Sequence, residues 1–438
     1  MQLRLRLGAV ALPDVGREVW LLCIATGLLN AGYLSMMGLL KVIFVLRLGY
    51  GADFVGTLFA IGSLSFALSS LLGGVLGARF GPRPVMIAGA LIVVIGMAFL
   101  PFTEFVPAPV QPLWPAMVQI VSSCGWAWFA VNLVTALMFF SVIENRKRVY
   151  GLKEAAAGMG MFLGAIVGGM LPALFAGAFG LDLDGPAPYR YGLVVATLVA
   201  LAAIVPIVRL ADVPRAPLAP RTTAARSSLA SLKPLAALIF VALLNHAAVA
   251  SARVFYPAYL DRIYGLPTAL IGLIASIGTL LAVVGSLSGP RLMATRGSGF
   301  GMMIASIGLT GSLLLMGLFG NWVAAGAGTI GTLALIGIWT LAYQVLQMEM
   351  AAPEQRSMVA GVGWMGMSIG FTLMSFAGGQ IVTAYGYRPV FLIGAVLAAT
   401  SATMMWRISR RAGMVPVTIG QDASGAVTGV SAAGIERQ

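Results

Sequence analysis

The sequence predicts an all-α membrane protein of twelve transmembrane helices, arranged as two six-helix bundles repeated in parallel. Three observations carry this. Of the 438 residues, 59% are apolar and 9% are charged, against about 25% charged in a soluble domain, so polar groups are too few to cover a water-facing surface. Apolar runs of transmembrane length recur along the chain; each crossing of a hydrocarbon core of about 30 Å takes about 20 residues, and about 36 residues per span with short loops gives about twelve spans. Finally, the second half of the chain repeats the first. With a mean hydropathy of +0.96, the composition excludes a soluble enzyme, a nucleic-acid-binding module and a secreted disulfide scaffold.

Taken in order, the candidate helices cover 19–46, 54–77, 84–102, 114–142, 153–178, 189–209, 235–260, 268–290, 299–319, 322–347, 359–382 and 388–406. They are too long for strands and lack the alternation of a lipid-facing barrel. Turn chemistry separates them, as at Gly81-Pro82 and Gly386–Pro389. Residues 210–234, rich in Pro, Ala, Ser and Arg, read as a flexible cytoplasmic linker between an N-terminal half (1–209) and a C-terminal half (235–411). Residues 412–438 carry no periodicity and read as a disordered cytoplasmic tail.

The net charge of +13 is mostly topological. With the N-terminus inside, 21 of the 27 Lys and Arg residues fall on one side, which places both termini and the linker in the cytoplasm. Four, Arg47, Arg190, Arg262 and Arg388, fall in outer loops, and two, Lys41 and Arg253, fall within helices. The N-terminus has no removable signal peptide pattern. Cys23 and Cys124 lie in apolar runs and read as packed hydrophobes. His246 is the single histidine, so no metal cluster is expected, and no cofactor is implied.

The internal repeat is ordered along the chain. GTLFAIGSL from Gly56 matches GLIASIGTL from Gly272, and Gly73, Leu76, Ala78 and Gly81 match Gly289, Leu292, Ala294 and Gly297 at the same offset. Leu28-Leu29-Asn30 matches Leu243-Leu244-Asn245. Glu144, Arg146, Val149, Gly151, Gly160, Gly168 and Gly169 match Glu354, Arg356, Val359, Gly361, Gly370, Gly378 and Gly379.

Two segments carry a resemblance. Gly73-Gly74-Val75-Leu76-Gly77-Ala78-Arg79-Phe80-Gly81-Pro82-Arg83 is similar to the Gly-x-Leu-x-Asp-Arg-x-Gly-Arg-Arg signature that follows the second helix in the major facilitator superfamily. It keeps the glycines, Arg79 and Arg83, but has Ala78 for the acid and Pro82 for a basic residue. Gly160-x-x-x-Gly164-Ala165-x-x-Gly168-Gly169 is similar to the Gly-x-x-x-Gly-Pro-x-x-Gly-Gly pattern of that family's antiporters, with Ala165 for proline. With the six-plus-six repeat, the chain up to about Arg411 resembles this superfamily of secondary transporters. The resemblance implies that helices 1, 4, 7 and 10 line a central cavity. It gives Gly73, Arg79, Gly81, Arg83, Gly160, Gly164, Gly168 and Gly169 gating roles, and the loss of the acid at Ala78 puts the family's cytoplasmic latch in doubt. The physical alternatives are a tight basic turn facing anionic lipid and ordinary helix packing through small residues.

On those four helices the polar residues form a short list. Helix 1 holds Asn30 and Lys41 on one face, and helix 7 holds His246 and Arg253 on one face. Under the repeat Lys41 falls within one turn of the Arg253 position. Two facing cations would bind an anion, the guanidinium in bidentate fashion, an arrangement similar to the superfamily's organic-phosphate exchangers. Alternatively, Lys41 snorkels to the outer headgroups, and His246 is a packing residue. Helix 4 carries Trp128, Asn132 and Thr135, and helix 10 carries Trp339, Tyr343 and Gln347, each an aromatic and polar stripe that either lines the cavity or packs helices together. Proton coupling would have to use Glu154, Glu349 or His246. These readings lead to a small-molecule secondary transporter of a small organic or amphipathic anion, working as a monomer in the plasma (inner) membrane by alternating access. A multidrug efflux carrier and a non-transporting receptor or assembly factor of the same fold are the alternatives. No nucleic-acid partner and no enzymatic constellation is expected.

Overall fold

The computed structural model describes residues 16–141, 146–212, 229–350 and 356–411. These residues are helices joined by short turns, and twelve helices are long and apolar enough to cross a membrane. They are α1 (Arg17–Arg47), α2 (Ala52–Phe80), α3 (Pro82–Phe105), α4 (Leu113–Phe140), α5 (Arg148–Phe179), α6 (Ala187–Val208), α7 (Leu235–Arg262), α8 (Thr268–Gly289), α9 (Ser298–Leu318), α10 (Trp322–Gln347), α11 (Gly361–Tyr385) and α12 (Tyr387–Arg410). Large apolar side chains such as Leu68, Leu71, Leu174 and Leu373 remain exposed along them, as expected where lipid is the solvent.

Local chemistry shapes individual helices. The helix of α8 runs on to Arg296, so α2 and its repeat partner each span 29 residues. Both end at a glycine with positive φ, Gly81 at 95° and Gly297 at 82°, where a side chain would be strained. The helix leading into α7 starts at Leu229, inside the stretch read from sequence as linker. At the other edge of that stretch, the backbone N–H of Ala211 donates to Glu18 Oε2 at 2.9 Å and Arg83 pairs with Asp212. The rest of the linker (213–228), the tail (412–438) and the basic residues Arg4 and Arg6 lie outside the described residues.

Two helices that the sequence reads as regular depart from that geometry. Helix α1 widens into a π-helix over Asn30–Met37, a form found mostly at functional sites. Helix α7 stops at Arg253 and restarts at Tyr256. The cause is Pro257, which has no N–H to offer the Arg253 carbonyl one turn earlier. The sequence places the proline but not the extent of the break.

The halves meet along two symmetric seams, α5 against α8 and α2 against α11. Each seam closes on glycine. A Cβ on Gly169 would lie 3.0 Å from the Gly272 Cα, and one on Gly56 would lie 3.0 Å from the Gly379 Cα. These are repeat-equivalent contacts, since Gly169 corresponds to Gly379 and Gly272 to Gly56. Replacing Gly169 by leucine is therefore expected to lower the melting temperature and stop transport, because overpacking costs about 1–3 kcal/mol and the seam has no room to yield. A Gly169→Leu protein with wild-type melting and flux would contradict this.

Candidate functional site

The ion pairs and most of the hydrogen bonds that join the halves among the described residues gather at one end of the bundle. There Arg47, last residue of α1, forms a bidentate pair with Asp261 near the end of α7, at 2.9 and 2.8 Å. The Asp261 side chain is 5% exposed and that of Arg47 19%, so the pair is largely withdrawn from solvent. Arg262 donates across the same junction to the Leu46 carbonyl at 2.8 Å. Tyr189 and Thr268 share a hydrogen bond of 3.3 Å between α6 and α8. Deeper in the bundle, Ser63 donates to the Ser368 carbonyl at 3.2 Å. A cavity of about 510 Å³ lies beside the latch, lined in part by Arg47, Tyr189, Asp261 and Arg262.

This latch is absent from the sequence-level list, where Arg47 and Arg262 counted only as loop charges. A signal existed. The offset that matches Asn30 to Asn245 also maps Arg47 onto Arg262, so the two arginines cross the pseudo-twofold axis as equivalents.

Beneath the latch lie the two intramembrane cations. Lys41 is six residues before Arg47 and Arg253 eight before Asp261, about 9 and 12 Å along their helices. Lys41 does not snorkel: it is 6% exposed, and its Nζ donates to Gln119 Oε1 of α4 at 2.5 Å. The ammonium also stands 4.3 Å from the centre of the Phe59 ring. Gln119 Nε2 donates to Ser123 Oγ at 2.9 Å, and Ser123 Oγ shares a hydrogen bond with Tyr33 OH. Sequence reading missed Gln119, Ser123 and Tyr33. Their helical spacing was the available signal, since Gln119 and Ser123 are four apart, as are Tyr33, Met37 and Lys41. Arg253 is half-buried and sits immediately before the break in α7. Among the described residues no carboxylate lies within ion-pair distance of Lys41 or Arg253.

The other candidates are held mainly by neighbouring helices. Asn30 is buried and donates to its own helix at the Thr26 carbonyl. Asn132 donates to the Gly73 carbonyl of α2 at 3.0 Å, and Gly77 leaves room for its side chain. Trp128 packs against Gly73 and Gly89, with its indole N–H buried and without a hydrogen-bond partner among the described residues. His246 stands edge-on to Trp339 at 5.2 Å, and Trp339 stacks on Tyr343 at 5.1 Å. Trp339 Nε1 donates to Ser306 Oγ. Gln347 donates to Tyr343 OH and to the Val359 carbonyl beside α11. The stripe on α10 thus sits largely inside its own half, with His246 at its edge.

Of the gating candidates, Gly160, Gly164 and Gly168 bring α5 against Gly27, Ala31 and Met36 of α1. They make room for the π-helical turn, which is also tied to α5 by Ser35 Oγ donating to the Met161 carbonyl at 2.7 Å. Arg83 binds Asp212 and the Val208 carbonyl, so it braces α6 within its own half. Arg79 is exposed beside Phe80. Glu154 is 54% exposed and pairs with Lys153, and Glu349 accepts from Ser298 Oγ at 2.9 Å.

Two repeated six-helix halves, joined at one end over buried polar groups on their central helices, define a membrane transporter. The chain belongs to the Major Facilitator Superfamily, whose model matches residues 22–352 and 238–424. It is similar to the multidrug resistance protein MdtH of Aeromonas hydrophila subsp. hydrophila, 26% identical over 152 residues, 35% of this chain and 37% of that protein. The similarity thus spans little more than a third of the relative's length. Among solved structures it resembles a POT family transporter in complex with a thioalcohol-conjugated peptide, at TM-score 0.72 and 13% identity, covering 90% of this chain and 96% of that one. It also resembles a D-xylose-proton symporter, at TM-score 0.70 and 16% identity, covering 89% and 97%. Likeness at these identities is one of fold.

Proposed function

We propose that this protein carries a small organic or amphipathic anion across the plasma (inner) membrane by alternating access, with the Arg83 end facing the cytoplasm. One observation carries the reading: Lys41 and Arg253 lie within the membrane spans, and no carboxylate among the described residues lies within ion-pair distance of either. A charge at the centre of a span costs about 2.5–3.5 kcal/mol on insertion scales, and less toward its ends, and an anion bound at these cations would offset that cost. Closure of the Arg47 end supports an arrangement open toward the opposite, basic end, which the distribution of Lys and Arg puts inside. Glu154 and Glu349 are engaged away from the two cations, which favours exchange or facilitated diffusion over coupling through either acid.

The second reading is efflux of hydrophobic or cationic compounds. It is favoured by the MdtH relatives and by the small-residue face of α5, and opposed by the two uncompensated cations. A stability panel separates the two. Organic anions are expected to raise the melting temperature of the purified protein with the logarithm of their concentration above Kd, and lipophilic cations are not. The reverse pattern would replace the anion reading by the efflux one, and no shift with either set, together with no flux, would favour a non-transporting role.

A further inference from the structure

We infer that Gln119 sets the charge class of the solute: its side-chain oxygen is the neutral stand-in that an anionic oxygen of the solute replaces on Lys41. This rests on the anion reading above. The Gln119 amide is oriented from both ends. Its nitrogen donates to Ser123 Oγ, itself joined to Tyr33, so its oxygen faces the Lys41 ammonium. A Cβ on Gly62 would lie 2.5 Å from the Gln119 nitrogen, so α2 confines the amide to this pose. The other close partner of the ammonium, the Phe59 ring, attracts a cation without cancelling its charge.

The chemistry of this network is unusual for a purely structural tie. Lys41 and Gln119 join α1 to α4 within one half, a link that a neutral donor would make without burying an ammonium. An ammonium has three donor positions and no acceptor. An amide oxygen satisfies one of them without supplying a negative charge, whereas a carboxylate at the same position would supply one. The residue at 119 therefore decides whether this part of the site is positive or neutral.

The test separates charge from structure. In Gln119→Glu the carboxylate still accepts from Lys41, so the tie between α1 and α4 persists and the melting temperature is expected to hold or rise. Affinity for naphthalene-2-sulfonate, measured by titration calorimetry on the full-length protein, is expected to fall by about tenfold or more, about 1.4 kcal/mol or more. Gln119→Asp carries the same test should the longer acid not fold. Gln119→Met removes the amide but leaves the charge uncompensated, and it is expected to keep binding the sulfonate. Wild-type affinity in the acidic variant, with affinity lost in Lys41→Ala, overturns the inference while leaving the anion reading in place. Equal loss in Gln119→Met and Gln119→Glu also overturns it, because position 119 would then act through structure alone. If the wild-type protein binds neither naphthalene-2-sulfonate nor inorganic phosphate, the anion reading fails and this inference with it.

Discussion

Arg253→Ala is expected to abolish anion flux in proteoliposomes while leaving a folded protein. Arg253 is half-buried at the point where α7 breaks, and no carboxylate among the described residues pairs with it. Its removal therefore relieves an uncompensated charge, and the melting temperature should not fall. What is lost is the guanidinium itself. A hydrogen bond to a charged group contributes about 1.5–3 kcal/mol, which corresponds to about a 10- to 100-fold loss of affinity. Arg253→Lys keeps the charge but not the planar fork, and it should recover part of the flux. The measurement is uptake or exchange of a labelled organic anion at matched protein incorporation. Undiminished flux in Arg253→Ala would remove Arg253 from the site.

Asp261→Asn is expected to loosen the junction of the halves at the Arg47 end. The pair is bidentate and largely withdrawn from solvent, and the substitution leaves the Arg47 guanidinium only the exposed Asp184 carboxylate, at 4.0 Å. The Leu183 carbonyl at 3.4 Å is a poor replacement. Removing one partner of a hydrogen-bonded charge pair costs about 2–5 kcal/mol when buried, and the partial exposure of Arg47 points to the lower figure, about a 30-fold shift toward the form open at this end. Spin labels at Val110 and Asn321, both exposed near this end, would report the separation in a background lacking Cys23 and Cys124. The expected result is a second, longer distance in Asp261→Asn. A distance distribution identical to that of the parent would show that the glycine seams and the remaining hydrogen bonds hold this end closed without the pair.

The latch and the cation site act on the same two helices. Arg47 and Lys41 lie on α1, and Asp261 and Arg253 on α7. Under the proposed function, an anion held at both cations would draw these helices together at mid-depth as the latch does at the end. Differential stabilisation of one arrangement by a bound solute is all that a shift between arrangements requires. The π-helical turn of α1 lies just beyond Lys41 on the side away from the latch, and the break in α7 lies between Arg253 and Asp261, so both helices depart from regular geometry next to these anchors.

Much of the architecture was legible in the amino-acid sequence because lipid imposes a simple rule. A span must be long, apolar and internally hydrogen-bonded, so runs such as 54–77 or 299–319 declare themselves without tertiary information. Repetition declares itself as well, and Gly81 and Gly297 end equivalent helices in equivalent conformations. The sequence also isolated Lys41 and Arg253, because a charge within an apolar run is rare enough to need a reason. Composition could not say where these side chains point. Lys41 might have snorkelled to the headgroups; only the approach of α4 brings Gln119 to it and holds it inside. Asn132 and Gln347 read the same in sequence as any polar residue on a central helix, yet neighbouring backbone carbonyls on α2 and beside α11 engage them. The latch joins residues more than 200 positions apart, and the seams depend on which glycine meets which. Those pairings arise from the packing of one half on the other, so the tertiary structure alone decided them.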